Sequence, residues 1–532
     1  MSPEDSLKNK KRNKKITIKS GSWIGLLVFS LLVALLLAAC GEERSLVLPD
    51  SQPTGQIVPA VPTATPEPTA TPVPEPTATP QPTATPQPTA TPDATATPAP
   101  TNTTRPTRPT ATPRPTVSTT PAPIDPAAEL KIIKNGFDAI NKNFYTQPDT
   151  SVIAQKGLEQ AAQVLGLSPP GQQKWGDATN NWQLFEQRYN DLVSKATVQL
   201  PPGELAHQVV NAMANATGDL HTYFLDTQRS DAVLRQGRGD NSTVGFGISF
   251  IQYQGGYFVQ KLVTGSPSDV AGVKVGDKLV SFNGTAINAS NFAQLSRTKE
   301  GTTYHFVFTR PNTAQPLNID IQSRRYTVAT AEWKLIDNHI GFITLNAFHL
   351  DVQDKLDQAI ADLKQQGADS LIIDLRFNGG GYNFERVAGR FVNDGAVLGQ
   401  FNNRGGTTTL KARSDGKQVT PPLPLVVLID HNSASASEVF SLAIRDYDAG
   451  TIIGNKSAGA VGTVRFWPLG DGTYLGVTAS IYQTVKGEKL NGIGVTPDIT
   501  VVRSTADILA GRDPQLDAAV KHLDETLKAK NP

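Results

Sequence analysis

Between Glu42 and about Pro123 the chain is dominated by Thr, Pro and Ala, with TATP recurring, as in Thr69-Ala70-Thr71-Pro72 and Thr83-Ala84-Thr85-Pro86. Proline fixes φ and removes a backbone donor, and large apolar residues are scarce here, so the segment cannot build a core. It reads as an extended, polyproline-II-like stalk over 41–125, a spacer of up to about 250 Å at ~3.1 Å per residue. A protein-binding role for the proline-rich tract is the alternative. Folding is thereby confined to the roughly four hundred residues that follow, more than one domain usually holds, which implies two or three folded units.

Ahead of the stalk, Lys8, Lys10, Lys11, Arg12, Lys14, Lys15 and Lys19 precede an uncharged apolar run from Trp23 to Ala39, which ends at Leu37-Ala38-Ala39-Cys40. Targeting segments are set aside before fold is read. A cysteine directly after small residues at the end of such a run resembles a bacterial lipobox. The resemblance implies a lipoprotein signal peptide over 1–40, a lipid on Cys40, export, and anchorage on the outer face of the bacterial cell membrane. An uncleaved signal anchor is the alternative, since the run approaches the ~20 apolar residues of a membrane span. Cys40 is the only cysteine, which excludes an intramolecular disulfide. Loss of residues 1–39 removes seven basic and two acidic groups and turns the formal charge of +1 into −4. That balance leaves no electrostatic footprint for nucleic acid.

The first folded stretch, 126–235, reads as helical. Leu130, Ile133, Phe137, Ile140 and Phe144 recur at helical spacing, as do Leu205, Val209, Ala212 and Met213. Beyond Arg324, short apolar runs alternate with amphipathic stretches. Residues 340–345, 370–375 and 425–429 read as strands, Leu356, Ile360 and Leu363 mark a helix between the first two, and a helix follows from about Ser437. Such βαβ alternation predicts a layered α/β domain over 324–505, with a last helix over 506–532.

Between these regions, Gly245-Phe246-Gly247-Ile248 is followed by a run from Gly265 to Gly284 that reads GSPSDVAGVKVGDKLVSFNG. The two together resemble a PDZ domain over 240–323. In that family the GFGI loop holds the terminal carboxylate of a peptide. Glycines let backbone amides converge into an anion-binding nest, and an exposed strand edge accepts a peptide as an added strand. A purely structural β-domain is the alternative.

Two segments of the α/β region carry the chemistry. Asp374-Leu375-Arg376-Phe377-Asn378-Gly379-Gly380-Gly381 ends a strand in three glycines, where backbone amides approach a substrate closely. Asn432-Ser433-Ala434-Ser435-Ala436-Ser437-Glu438 lies between a strand and a helix, where a serine is exposed and helix N-terminal amides stabilise an oxyanion. A serine-rich turn alone is more often a helix cap.

The pair, in this order around a PDZ-like insert, resembles the carboxyl-terminal processing (tail-specific) serine peptidases from about Leu130 to Val501. The family's LRxNxGG stretch corresponds to Leu375–Gly381, with Gly379 where proline is common. Its SASASE stretch is matched residue for residue, and its helix after the serine ends in Asp446-Tyr447. Its closing motif corresponds to Gly492-Ile493-Gly494-Val495-Thr496-Pro497-Asp498. The resemblance implies an α/β multidomain protein with an N-terminal helical region, a PDZ β-domain and a crotonase-like ββα peptidase core. It also implies Ser435 as nucleophile, hydrolysis of peptide bonds in exported proteins, and recognition of their C-terminal tails.

One departure bears on mechanism. Family members use a Ser-Lys dyad, and Ala460 stands here in the place of the lysine. Lys456, four positions earlier, matches a second lysine of many relatives and is an alternative base, or a solvated turn residue. His221, in Asp219-Leu220-His221-Thr222, resembles a D-x-H-[TS] segment whose histidine is the general base in relatives such as the tricorn protease core. Imidazole suits that work because it titrates near neutrality. The implied mechanism has Ser435 attack, His221 take its proton, and the amides of Ala436 and Gly380 form the oxyanion hole. No cluster of Cys, His or carboxylates shows metal-ligand spacing, and no cofactor is implied. The alternative function is that of a non-catalytic relative that only binds protein tails or apolar ligands.

Overall fold

The computed structural model describes residues 121–296 and 298–530. Cys40, the signal-like segment and almost all of the stalk lie outside the described residues.

The chain enters through four helices, Pro126–Asn143, Thr150–Val164, Ala178–Ser194 and Glu204–Asn215. Aspartates start the first three: Asp125, Asp149 and Asp177 each accept backbone N–H groups of the first turn, and Pro126 follows Asp125 where a missing N–H costs nothing. Their apolar faces meet in a core built around Ile133, Phe137, Ile140, Leu158, Phe185, Val209 and Met213. The stretch read as helical is not helical throughout. Tyr223–Leu225 is a strand, paired antiparallel with Tyr474–Gln483. Leu475 and Val477 of that partner strand close the helical core.

A two-stranded ribbon of Ser242–Gly245 and Arg324–Thr327 carries the chain into and out of the PDZ unit. Within that unit five antiparallel strands follow the order Ile248–Tyr253, Gly256–Leu262, Lys278–Phe282, Thr303–Thr309, Leu317–Gln322. Ile248–Tyr253 lies at the sheet edge, directly after the GFGI loop. The core is rich in aromatic rings, with Phe246, Phe306 and Phe308 buried beside Val259, Leu279 and Ile321.

The α/β region holds a six-stranded sheet in the order Ala331–Ile336, Ile340–Leu345, Ser370–Asp374, Leu425–Ile429, Thr451–Gly454, Ile499–Thr500. The first pair is antiparallel and the rest parallel. Strand Leu425–Ile429 explains its own apolar run. Leu425, Val427 and Ile429 face one core, with helices Val352–Gln365 and Ala436–Asp446, while Val426 and Leu428 face another, with Ala519 and Leu523 of helix Pro514–Lys530. A strand covered on both faces is continuously apolar, and alternate residues serve opposite layers. A second sheet joins Tyr223–Leu225, Tyr474–Gln483, Val397–Asn403 and Gly406–Lys411, with Gly462–Pro468 also paired to Tyr474–Gln483. The architecture is thus mixed α/β and multidomain, with N-terminal helices, a PDZ β-sheet and a largely parallel α/β core.

Candidate active site

Strands Ser370–Asp374 and Leu425–Ile429 are parallel neighbours, so the loops leaving their C-terminal ends lie side by side. Those loops are the glycine turn and the serine turn. Asn378 binds them together: its carbonyl accepts the Ala434 N–H at 3.0 Å and the Ser437 hydroxyl at 2.8 Å, and its Nδ2 donates to Leu345 O at 2.7 Å. Asp430 adds a second tie, with Oδ1 accepting the Phe377 N–H at 3.0 Å and the Asn432 N–H at 2.9 Å.

Ser435 sits at the end of this turn with φ 53° and ψ −115°, immediately before helix Ala436–Asp446. A non-glycine residue at positive φ is uncommon, and such conformations persist only where the surroundings over-determine them. Here they do. The Ser435 N–H donates to Ala460 O at 2.8 Å and to Glu438 Oε2 at 3.0 Å. Glu438 is 1 % exposed and also accepts the Ser457 hydroxyl at 2.5 Å, the Gly459 N–H at 2.8 Å and the Ala460 N–H at 2.9 Å. Burial pushes the Glu438 carboxyl pKa up, against these donors, which pull it down. One carboxylate therefore locks the serine turn to the loop 457–460.

Gly380 packs directly on the serine. Its φ is +95°, and a Cβ there would fall 2.7 Å from Ser435 Cβ and from the Ala436 nitrogen. Only glycine permits this approach. Both expected oxyanion donors are thus beside Ser435, but their amides differ in state. The Gly380 N–H donates to Asn378 Oδ1 at 2.9 Å. Ala436 opens the helix, where first-turn amides lack intrahelical partners.

His221 lies two residues before strand Tyr223–Leu225 and is 1 % exposed. Its Nδ1 is 3.9 Å from the position a Cβ would take on Gly462, and the Ala460 carbonyl bears on the ring. Residue 460 is therefore the meeting point: its carbonyl accepts the Ser435 N–H and lies by the His221 ring. Neither ring nitrogen has a hydrogen-bond partner of normal geometry. Burial lowers the His221 pKa, while Asp219 and the Ala460 carbonyl oppose that shift. Burial thus favours the neutral ring, the state a general base needs.

Lys456 is not drawn into this cluster; its side chain is exposed at the start of the loop. His431, beside the serine turn, is exposed as well. In the PDZ unit, Gly245, Phe246, Gly247 and Ile248 lead into the edge strand, and Phe246 is buried among Tyr304 and Phe306. A Cβ on Gly247 would fall 2.1 Å from Ser266 Cβ, so the loop is pressed closely onto the segment behind it. Among the described residues no group of three or more His, Cys, Asp or Glu is placed to hold a metal ion.

Sequence reasoning missed three residues here. The role of Glu438 was foreshadowed by its spacing, three residues after Ser435, which is that of a helix capping pair. Asn378 carried no separate signal. Lys261, on PDZ strand Gly256–Leu262, donates to Asn346 Oδ1 at 3.2 Å and places its ammonium 5.3 Å from the ring centroid of Phe377, in the glycine turn. Burial lowers its pKa, against Asp374, Asp430 and Glu332. Only the folded arrangement reveals such a contact.

Residues 339–501 match peptidase family S41, and residues 244–321 match the PDZ domain. The chain thus contains a region similar to peptidase family S41 and another similar to the PDZ domain. The S41 match spans both chemistry-bearing turns and the loop 457–460, while His221 precedes it. Similar proteins include a carboxy-terminal-processing protease of Bartonella bacilliformis, 28 % identical over 64 % of this chain and 80 % of that protein. A probable CtpA-like serine protease of Staphylococcus haemolyticus is 26 % identical over 66 % of this chain and 70 % of its own length. Among solved structures, a photosystem II D1 C-terminal processing protease covers 70 % of this chain and 93 % of its own, at 22 % identity and a TM-score of 0.46. The tricorn protease covers 76 % and 37 %, at 17 % identity and a TM-score of 0.40.

Proposed function

We propose that this chain is an S41-type serine endopeptidase that processes exported proteins at the outer face of a bacterial membrane. The observation that carries the reading is the convergence of Ser435, His221 and Gly380 on residues 436 and 460, with the serine in a strained turn at a helix N-terminus. His221 takes the Ser435 hydroxyl proton as the oxygen bonds to the scissile carbonyl carbon. The carbonyl oxygen becomes an oxyanion facing the Ala436 amide, and the Gly380 amide exchanges Asn378 Oδ1 for it. The imidazolium then gives its proton to the leaving amine, and water releases the acyl group by the same steps in reverse. The exposed side chain of Lys456 argues against it as the base.

The test is hydrolysis of unstructured peptides by the full chain, read by mass spectrometry with Ser435→Ala protein as the blank. The absence of a lysine at residue 460 favours a second reading, that of a tail-binding protein without activity. No cleavage of any peptide by wild-type protein, with peptide binding retained, would establish it.

The PDZ unit delivers the substrate by its tail. Its edge strand Ile248–Tyr253 offers an unpaired ladder to an extended peptide, and the GFGI amides take the terminal carboxylate. A peptide with an apolar last residue is expected to bind at least about tenfold more tightly as the free acid than as the amide, because the amide forfeits charge-assisted hydrogen bonds. Equal affinities in a calorimetric titration would remove tail recognition.

The anchor is assigned to Cys40. Cys40→Ser is expected to release the protein from the membrane fraction or leave an uncleaved precursor. Unchanged membrane retention, together with full precursor mass in the wild type, would identify a signal anchor instead.

A further inference from the structure

Asp219 has two carboxylate oxygens in unlike states. Oδ2 accepts three donors: the His221 N–H at 3.0 Å, the Thr222 hydroxyl at 2.9 Å and the Thr478 hydroxyl. These fix the carboxylate from its own turn and from strand Tyr474–Gln483. Oδ1 is buried and has no hydrogen-bond partner. Two residues along the same turn, both ring nitrogens of His221 are buried and without a hydrogen-bond partner of normal geometry. A buried acceptor with nothing to accept from is rare and costly in a native protein. Here it stands in the turn that carries a ring which, as a base, must gain a proton.

We infer that Asp219 is the acidic positioning residue of His221, its fixed carboxylate stabilising the imidazolium that forms when Ser435 attacks. The inference rests on the serine–histidine reading above. The charged surroundings of the ring support it. Asp219 is the charged group that bears on His221. The loop on the other side presents Ala460 and Gly462, and the neighbouring strand presents Thr478. Tyr145 is a further titratable group near the carboxylate; burial first, then Asp219, pushes its pKa up, so it stays a neutral phenol. A buried imidazolium in a site of low dielectric is expensive without a nearby negative charge, and a carboxylate already held by three donors supplies that charge without reorganising.

The experiment compares full-length wild type, Asp219→Asn, Asp219→Glu and His221→Ala by steady-state peptide hydrolysis from pH 4 to 9, with thermal melts of each. Asp219→Asn keeps the shape and removes the charge. It is expected to lower kcat about 10²–10⁴-fold with KM within about threefold, and to move the acid limb of kcat/KM to lower pH, since the imidazolium loses its counter-charge. Asp219→Glu retains the charge and is expected to keep the limb near its wild-type position. An Asn variant with wild-type kcat and limb, or one that loses activity through KM alone, overturns the inference, because a merely structural role moves no limb. If the Asn protein does not fold, the Glu variant decides: a limb displaced by more than about one pH unit despite the retained charge overturns the inference. Wild-type activity in His221→Ala defeats the underlying reading instead, and is seen whatever Asp219 does.

Discussion

Ser435→Ala is expected to lower kcat by about 10⁵–10⁶-fold, and His221→Ala by a comparable factor, with the double variant little worse than either single one. Nucleophile and base act as a unit, so their losses do not add. The wild-type rate should fall as pH drops through a value below the ordinary histidine pKa of about 6.5, because burial favours the neutral ring and only the neutral ring accepts the proton. Lys456→Ala should leave kcat/KM within about twofold, as its exposed side chain lies apart from the cluster. Full activity in the His221 variant, combined with its loss in the Lys456 variant, would replace the histidine by a displaced lysine base.

Glu438→Ala should be among the most destabilising single changes in the α/β core. It leaves the N–H groups of Ser435, Gly459 and Ala460 and the Ser457 hydroxyl without their shared buried acceptor. Each buried donor left unsatisfied costs about 1–3 kcal/mol. The same change frees the turn that holds Ser435 at φ 53°, so activity should fall with stability. Urea denaturation of the variant checks this. A loss below about 1 kcal/mol, a typical surface-to-average mutational cost, would mean that the turn is held by other contacts.

Much of this arrangement is legible in the sequence where the signal is local. Asp125-Pro126 announces a helix start, the apolar run at 425–429 announces a doubly covered strand, and Ser435 stands between a strand and a capping-type glutamate. What escapes reading depends on distant partners. Tyr223–Leu225 is three residues long and is a strand only because Tyr474–Gly476 lies beside it. The amide of Gly380 is turned to Asn378 Oδ1, a choice made by side-chain geometry that residue types do not encode. Lys261 looks like an ordinary strand lysine until the PDZ unit brings it over Phe377. The lipobox-like segment and the stalk rest on composition and motif alone, since they lie outside the described residues.

The pairing of Tyr223–Leu225 with Tyr474–Gln483 also sets a timetable for biosynthesis. A ribosome releases the turn bearing His221 early, yet the strand that seats this turn, and whose Leu475 and Val477 finish the helical core, emerges more than two hundred residues later. The serine turn is made before that strand as well. Once both turns have been made, the chain still lacks the geometry that brings the Ser435 and His221 turns together until nearly its last strand is in place.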